Sequence, residues 1–187
     1  MKRNIIVAKK ALSPQFCDEV IKLQKHEQLL KGGVGDGNVN KTVRNSEICF
    51  LNGSITYFNL YKPILELVND VNNQFYNFNL IEPETFQLTK YDEKNQGFYK
   101  PHIDGVYENS PNTIVRKLSM SAQLTPPDYY EGGRLEFPDD KENYNEEDSI
   151  DQGTVVFFPS YIKHGVQPVT KGIRYSLVSW FLGPSFR

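Results

Sequence analysis

Two residues near the middle of the chain, His102 and Asp104, could bind a metal ion. They are two positions apart, so in a β-strand their side chains would project from the same face of the sheet. His164, much further along the chain, could supply a third ligand if the fold brings the two segments together. Two imidazoles and one carboxylate cover one side of an ion and leave the other positions open. This ligand set predicts an Fe(II) site of the kind that non-haem oxygenases use.

A cation downstream of these ligands could hold the acidic end of a co-substrate. Arg174 lies in the strand predicted after His164, and its neighbours Ile173 and Tyr175 indicate that this strand is buried. A buried guanidinium is costly without an anion, and its planar fork suits a carboxylate. Ser176 is two residues further on, on the same face, and could add a hydroxyl donor. The alternative for Arg174 is a surface salt bridge, and we favour the bound carboxylate.

The composition is that of an ordinary globular protein. The chain has 187 residues, 39% hydrophobic and 24% charged, with a net charge of −2. The length suits one domain, and the charge gives no indication of nucleic-acid binding. Two cysteines, Cys17 and Cys49, are too few for a disulfide framework or a thiolate zinc site. No apolar run is long enough for a secretory signal or a membrane span, so we expect a cytoplasmic protein that binds no membrane. No pattern indicates the oligomeric state.

Helical periodicity is confined to the part of the chain before residue 81. Ser13 is a good N-cap, Pro14 suits the first helical position, and the helix is predicted to end near Lys31. A second apolar stripe at helical spacing covers residues 55–75, and Pro63 should divide it into two helices or kink it. Each helical segment has one apolar face, so we expect both to lie against a sheet.

The clearest strand covers residues 117–125, where apolar and polar side chains alternate. Leu118 and Met120 belong to the apolar face, and Ser119, Ser121 and Gln123 belong to the polar face. In an open sheet the polar face would meet solvent, whereas in a barrel that holds a polar ligand it could point inward. Both arrangements are compatible with the alternation alone.

Further strands are predicted on both sides of this one. Period-two or continuous apolar segments predict strands at residues 44–51, 86–91, 153–158 and 173–181. Two helical segments followed by some seven short strands indicate an α+β protein built on a sandwich or a jelly roll.

A resemblance to a known family is carried by several motifs in the second half of the chain. Residues 88–181 resemble the prolyl 4-hydroxylase branch of the Fe(II)- and 2-oxoglutarate-dependent oxygenases. The matching segments are Gln87-Leu88-Thr89-Lys90-Tyr91, Gly97-Phe98-Tyr99-Lys100-Pro101-His102-Ile103-Asp104, Arg116-Lys117-Leu118-Ser119, Glu131-Gly132-Gly133-Arg134-Leu135-Glu136-Phe137, and His164-Gly165-Val166-Gln167-Pro168-Val169 with Gly172-Ile173-Arg174-Tyr175-Ser176.

The resemblance implies a single domain over residues 1–187, with a double-stranded β-helix (jelly-roll) core at 81–187 and supporting helices in 1–80. It implies Fe(II), 2-oxoglutarate and O2 as cofactor and co-substrates, with ascorbate as an optional reductant. The residues that it implies are these: His102, Asp104 and His164 as iron ligands, Arg174 with Ser176 for the distal carboxylate of 2-oxoglutarate, Tyr91 and Tyr99 in the pocket, and Gln123 where some relatives contact 2-oxoglutarate. For both tyrosines, packing in the core is an equally good interpretation.

The function implied is hydroxylation of prolyl residues in a peptide or protein, with conversion of 2-oxoglutarate to succinate. Two alternatives stay open: an oxygenase of the same fold acting on a free small molecule such as an amino acid, and a non-catalytic jelly-roll binding module. The loops expected to meet the substrate are 92–97, 106–115 and 139–151. The last is acidic and could favour a basic peptide, although a solvated loop is the favoured interpretation.

Overall fold

A computed structural model of the chain describes residues 4–25, 29–33, 39–51, 58–105 and 113–186. These residues form two α-helices and twelve strands, joined by short helical turns. No helix within these ranges has both the length and the apolar character needed to cross a membrane. The elements are, in chain order, β1 (Ile6–Ala8), α1 (Pro14–Leu23), β2 (Leu30–Lys31), β3 (Arg44–Asn45), β4 (Glu47–Leu51), α2 (Phe58–Val71), β5 (Glu82–Asp92), β6 (Phe98–His102), β7 (Ile114–Gln123), β8 (Tyr130–Gly132), β9 (Leu135–Glu136), β10 (Val155–Pro159), β11 (His164–Val166) and β12 (Val169–Pro184).

Two antiparallel sheets form the core. The larger has eight strands in the order β1-β10-β7-β12-β5-β4-β2, with β8 paired to β12, and the smaller has the order β3-β6-β11-β9. A buried cluster that includes Tyr91 and Phe158 from the large sheet and Leu135 and Val166 from the small one joins their inner faces. The functional side chains described below lie between these two sheets.

Both helices cover the outer face of the large sheet, as predicted. Val20 of α1 and Val68 of α2 share one buried cluster with Leu118 and Met120 of β7. The polar side chains of β7 therefore point to the opposite face, and they are buried too: Ser119 is 1% exposed. The interior arrangement is thus the correct one of the two that the alternation allowed.

Helix α1 begins where the sequence predicted and ends earlier. Ser13 accepts a hydrogen bond from the backbone N–H of Phe16, and Pro14 is the first helical residue. The predicted end near Lys31 is wrong, because the helix stops at Leu23 and Leu30–Lys31 pairs as β2 with Glu47 and Ile48 of β4. Pairing with a strand distant in sequence outweighs the local helical pattern there.

The strand predicted at residues 44–51 is in fact two strands in different sheets. Arg44–Asn45 pairs with β6 in the small sheet, whereas Glu47–Leu51 pairs with β5 in the large sheet. The region before residue 81 is therefore not only helical support, since it adds strands to both sheets. Pro63 does not divide the second helical segment, because it lies inside the single helix α2. The predicted start of that segment, at residue 55, lies outside the described residues, as does most of the loop 106–115.

Candidate active site

A cavity of about 690 Å³ opens between the two sheets. The cavity is lined by strands from both halves of the chain, among them β3, β4, β5, β6, β7, β11 and β12. The lining side chains that matter below are Lys31, Arg44, Glu84, Tyr91, Tyr99, His102, Asp104, Arg116, His164, Ser176 and Trp180.

The two histidines face each other across neighbouring strands. His102 of β6 pairs directly with His164 of β11, and their ring centroids are 4.4 Å apart. The Nδ1 atom of His102 lies 2.9 Å from the carbonyl oxygen of Lys100, and that of His164 lies 3.0 Å from the carbonyl oxygen of Ile162. A carbonyl only accepts hydrogen bonds, so each Nδ1 carries the proton and each Nε2 keeps a free lone pair. Both imidazoles are thus oriented to bind a metal through Nε2.

The sequence predicted that Asp104 and His102 lie in one strand. This is wrong for Asp104, because β6 ends at His102. The backbone N–H groups of Asp104 and Gly105 both donate to the carbonyl oxygen of Ser160, at 3.0 and 2.9 Å. This double contact turns the carboxylate toward the histidines. Its Oδ1 lies 3.5 Å from Nε2 of His102, and its Oδ2 lies 3.4 Å from Nε2 of His164.

Ser119 of β7 fixes the carboxylate from the other side. Its hydroxyl donates to Oδ2 of Asp104 at 2.8 Å and lies 2.9 Å from the hydroxyl of Ser160. Neither Ser119 nor Ser160 was assigned a role from sequence. For Ser119 the signal was its place on the polar face of β7, whereas Ser160 carried none.

Electrostatics favours the metal-binding forms of Asp104 and His164. Burial acts to raise the pKa of Asp104, but the nearby imidazoles of His164 and His102 and the Ser119 hydroxyl together lower it below its ordinary value. Burial lowers the pKa of His164, against the opposing effect of Asp104. A metal binds an ionised carboxylate and a neutral imidazole, so these shifts favour binding.

The triad therefore fits a metal ion. One ligand atom from each of His102, Asp104 and His164 can be chosen so that all three lie within 4.8 Å of one another. Two imidazole nitrogens and one carboxylate oxygen on one side suit a non-haem Fe(II) centre with open positions.

Arg174 on β12 is a buried cation with an unused donor. It is 4% exposed, so the alternative of a surface salt bridge is wrong. Its Nε donates to Oε1 of Gln123 at 2.9 Å, and its Nη1 has no hydrogen-bond partner within the described residues. Gln123 in turn donates from Nε2 to the carbonyl oxygen of Thr125. Gln123 thus orients the guanidinium and leaves Nη1 available for an anion.

The other predicted pocket residues, Tyr91, Ser176 and Tyr99, all line the cavity. Tyr91 lines the cavity, and the Cζ atom of Arg174 is 5.6 Å from its ring. Ser176, two residues from Arg174 on β12, also lines the cavity. Tyr99 stacks on His102, with ring centroids 3.6 Å apart. Burial raises the pKa of both tyrosines, so their hydroxyls stay protonated at neutral pH.

Arg116 and Arg44 also border the cavity, and Arg44 was not assigned to the site from sequence. Arg116 forms an ion pair with Glu84, and its guanidinium lies 4.0 Å from the ring centroid of Trp180. Arg44 of β3 lies with its Cζ atom 4.6 Å from the ring centroid of Tyr99. The sequence did not place Arg44 at the cavity. It predicted a single strand at residues 44–51 and did not reveal that the chain changes sheets at Ser46.

The acidic loop 139–151 does not border the cavity. Its carboxylates contact cations elsewhere on the surface, as in the pairs Glu147–Arg134, Asp148–Lys9 and Asp151–Lys10. The structure therefore favours the solvated-loop interpretation over recognition of a basic peptide.

Comparison of the sequence with known proteins identifies relatives. The family described as the 2OG-Fe(II) oxygenase superfamily matches residues 86–182, more than half of the chain. A PKHD-type hydroxylase from Alteromonas mediterranea is 36% identical over 86 residues, and the match spans 44% of this chain and 37% of that relative. The PKHD-type hydroxylase YbiX from Shigella sonnei is 28% identical over 158 residues, 82% of this chain and 69% of the relative. The first of these matches thus spans well under two thirds of the relative's length.

Solved structures share the fold at low sequence identity. The viral collagen prolyl hydroxylase from Paramecium Bursaria Chlorella virus-1, in its 2OG complex, superposes with a TM-score of 0.72 at 18% identity and covers 96% of both chains. A prolyl hydroxylase from Trichoplax adhaerens, in complex with a hypoxia inducible factor peptide fragment, gives 0.73 at 17% identity and covers 96% of this chain and 83% of that one. The predicted jelly-roll core with supporting helices is confirmed.

Proposed function

The chain belongs to the 2OG-Fe(II) oxygenase superfamily, and we propose that it hydroxylates prolyl residues in a peptide or protein while 2-oxoglutarate is decarboxylated to succinate. One observation carries the proposal: Tyr91 lines the same cavity as the metal-binding triad and also lies 5.6 Å from a buried guanidinium whose Nη1 has no hydrogen-bond partner within the described residues. A triad alone would also suit a structural metal site. The additional buried cation requires an anionic ligand, which a dicarboxylate co-substrate provides.

His102, Asp104 and His164 would hold Fe(II), and the bound metal would supply the activation of O2 that oxidises 2-oxoglutarate and the substrate C–H bond. The chain itself orients these ligands. Backbone carbonyls orient both imidazoles, while Ser160 and Ser119 fix the carboxylate. Such outer contacts set the tautomer and the direction of each ligand.

Arg174 would bind the distal carboxylate of 2-oxoglutarate through Nη1, since Gln123 already occupies its Nε. Ser176 and Tyr91 line the same cavity and offer hydroxyl donors to the co-substrate. The hydrogen bond from Nε to Gln123 fixes the plane of the guanidinium, so little conformational entropy is lost on binding.

The shape of the cavity supports a polypeptide substrate. The cavity lining includes the apolar side chains Leu30, Phe50 and Ile103, which are 47%, 39% and 53% exposed. Exposed apolar side chains in the lining of a reactive cavity suit a polypeptide better than a small polar molecule. The structural relative from Trichoplax adhaerens was solved with a peptide fragment bound, which supports the same proposal.

The proposal is tested by incubating the protein with Fe(II), 2-oxoglutarate, ascorbate and proline-containing peptides. We expect succinate to form and mass spectrometry to show one added oxygen on proline, and both signals to be absent from a His164→Ala variant. Peptides with alanine in place of proline serve as the matched control. Oxygen added to free proline, but to no peptide, would replace the proposal by the small-molecule alternative. Succinate release without any hydroxylated peptide would contradict prolyl hydroxylation.

Two features remain predictions. The cytoplasmic location stays a prediction from the sequence. The use of ascorbate is a proposal, which the same assay tests by comparing turnover with and without this reductant.

A further inference from the structure

Arg44 is a nearly buried cation at the wall of the active-site cavity. It is 7% exposed and borders the cavity beside Tyr99. Its Nε donates to the Ser46 hydroxyl at 2.8 Å, and its Nη1 donates to the carbonyl oxygen of Gly33 at 3.0 Å. Both partners are neutral. Within the described residues, no carboxylate lies within ion-pair distance of this guanidinium.

The other cations on the cavity wall differ from Arg44 in this respect. Lys31 lies 3.2 Å from a carboxylate oxygen of Glu47. Arg116 is paired with Glu84 through two nitrogens. The charges of Lys31 and Arg116 are therefore balanced by the chain itself, and that of Arg44 is not balanced by any described residue.

The loaded site does not balance Arg44 either. The positive charges of Fe(II) and Arg174 together are cancelled by the negative charges of Asp104 and a 2-oxoglutarate dianion. These groups therefore leave no counter-charge for Arg44, and an unpaired charge is costly in a mostly apolar cavity. Its guanidinium is also fixed in place, because Ser46 and Gly33 hold its edge and Tyr99 covers its face at 4.6 Å. A fixed, unbalanced cation at this position is a receptor for an anion.

We infer that Arg44 binds a carboxylate of the substrate, next to the residue that is hydroxylated. The inference rests on the proposed function and names the substrate class of the same site: an acidic polypeptide segment. The position follows from the stack of Arg44 on Tyr99 and of Tyr99 on His102, with the ring centroids of the latter pair 3.6 Å apart. The carboxylate belongs to an aspartate or glutamate side chain close to the target proline, or to a C-terminal proline itself.

The experiment measures peptide affinity and hydroxylation side by side. The probes are proline-containing peptides with either aspartate or asparagine at each position flanking proline, and peptides ending in proline as the free acid or the amide. Affinity is measured by fluorescence anisotropy with Mn(II) and 2-oxoglutarate bound, where turnover does not occur. We expect the acidic member of one pair to bind about ten- to a hundredfold more tightly, the size expected for hydrogen bonds to a charged group.

The variants assign this preference to Arg44. An Arg44→Gln variant should lose the preference, and an Arg44→Lys variant should keep part of it. Lys31→Met is the matched control, because Lys31 borders the same cavity but already has Glu47 as partner. Its preference for the acidic peptide should equal that of the wild-type protein. Since the preference is first measured in the wild-type protein, the test does not depend on the folding of a variant.

The outcomes separate this inference from the proposed function. Hydroxylation of acidic and neutral peptides alike would overturn the role of Arg44 and leave prolyl hydroxylation standing. A preference for the carboxylate without oxygen transfer to proline would support the role of Arg44 and overturn prolyl hydroxylation. If no peptide binds, both claims are overturned. Asp36 lies outside the described residues, and it follows Gly33 closely in the sequence. If an Asp36→Asn variant gained a preference that the wild-type protein lacks, the chain itself would be the partner of Arg44 and the inference would fail.

Discussion

Neighbouring residues of β7 face two different environments. On the outer face, Leu118 and Met120 pack with both helices in the main apolar cluster. On the inner face, Ser119 holds Asp104, and Gln123 holds Arg174. The backbone is the same, and both faces are buried.

Burial has a different consequence on each face. On the outer face, burial removes apolar surface from water, which stabilises the fold without regard to the exact partner. On the inner face, buried polar side chains fix a carboxylate and a guanidinium, and one donor of that guanidinium has no partner among the described residues. Outer-face substitutions should therefore change stability, and inner-face substitutions should change chemistry.

The largest effect on chemistry is expected from Asp104→Ala. Removing the carboxylate leaves two imidazoles, too few to retain the metal, so turnover should fall to background. The fold should persist, because the lowered pKa of His164 disfavours a charged ring at the site of the removed carboxylate. Succinate formation and circular dichroism measure the two effects. The exposed Asp128 provides the control variant Asp128→Ala, and metal-dependent turnover in Asp104→Ala would contradict the assignment.

Arg174→Met should mainly affect the co-substrate. We expect the KM for 2-oxoglutarate to rise about ten- to hundredfold, since charge-assisted hydrogen bonds are lost. 2-Oxoglutarate with Mn(II) should raise the Tm of the wild-type protein and raise that of the variant less. Lys171→Met, an exposed cation on the same strand, should behave as wild type. An unchanged KM would show that Arg174 does not bind the co-substrate.

Ser119→Ala tests the outer contact of the metal ligand. Loss of the hydrogen bond to Asp104 should weaken metal affinity by about ten- to hundredfold and cost about 1 kcal/mol of stability. Ser121→Ala is the matched control on the same face of β7. Metal titration followed by tyrosine fluorescence, together with denaturant unfolding, separates the two effects. Equal metal affinity in both variants would remove the distinction between the two serines.

The smallest effect on chemistry is expected from Leu118→Ala, next to Ser119. This side chain is fully buried in the outer cluster, so its truncation should cost about 2–5 kcal/mol of unfolding free energy. The kcat of the folded protein should stay unchanged. Ile114→Ala, at the exposed start of the same strand, should cost little. A large loss of kcat in folded Leu118→Ala would show that the two faces are not independent.

Much of the local structure was predictable because it depends on neighbours in sequence. The Ser13 cap, the first turn at Pro14 and the alternation of β7 follow from side-chain chemistry and from the two-residue period of a strand. The motif around His102 also singled out the metal ligands. Their roles in catalysis remain predictions that the variants above will test.

The predictions that were wrong concern segments whose pairing partners are distant in sequence. The segment after α1 leaves the helix because Leu30–Lys31 pairs with β4. The predicted strand 44–51 breaks at Ser46 because its two halves pair with different sheets. Local periodicity contains no information on either pairing, so Arg44 could not be placed at the cavity from sequence.

The sequence by itself determined which residue types are available and which side chains share a face. It singled out His102, Asp104, His164 and Arg174, because few other chemistries use that set. Only the tertiary structure decided that the polar face of β7 points inward and that Ser160 turns Asp104 toward the histidines. The physical reason is that burial and hydrogen bonding join strands far apart in the chain, whereas a sequence pattern reports only the geometry of consecutive residues.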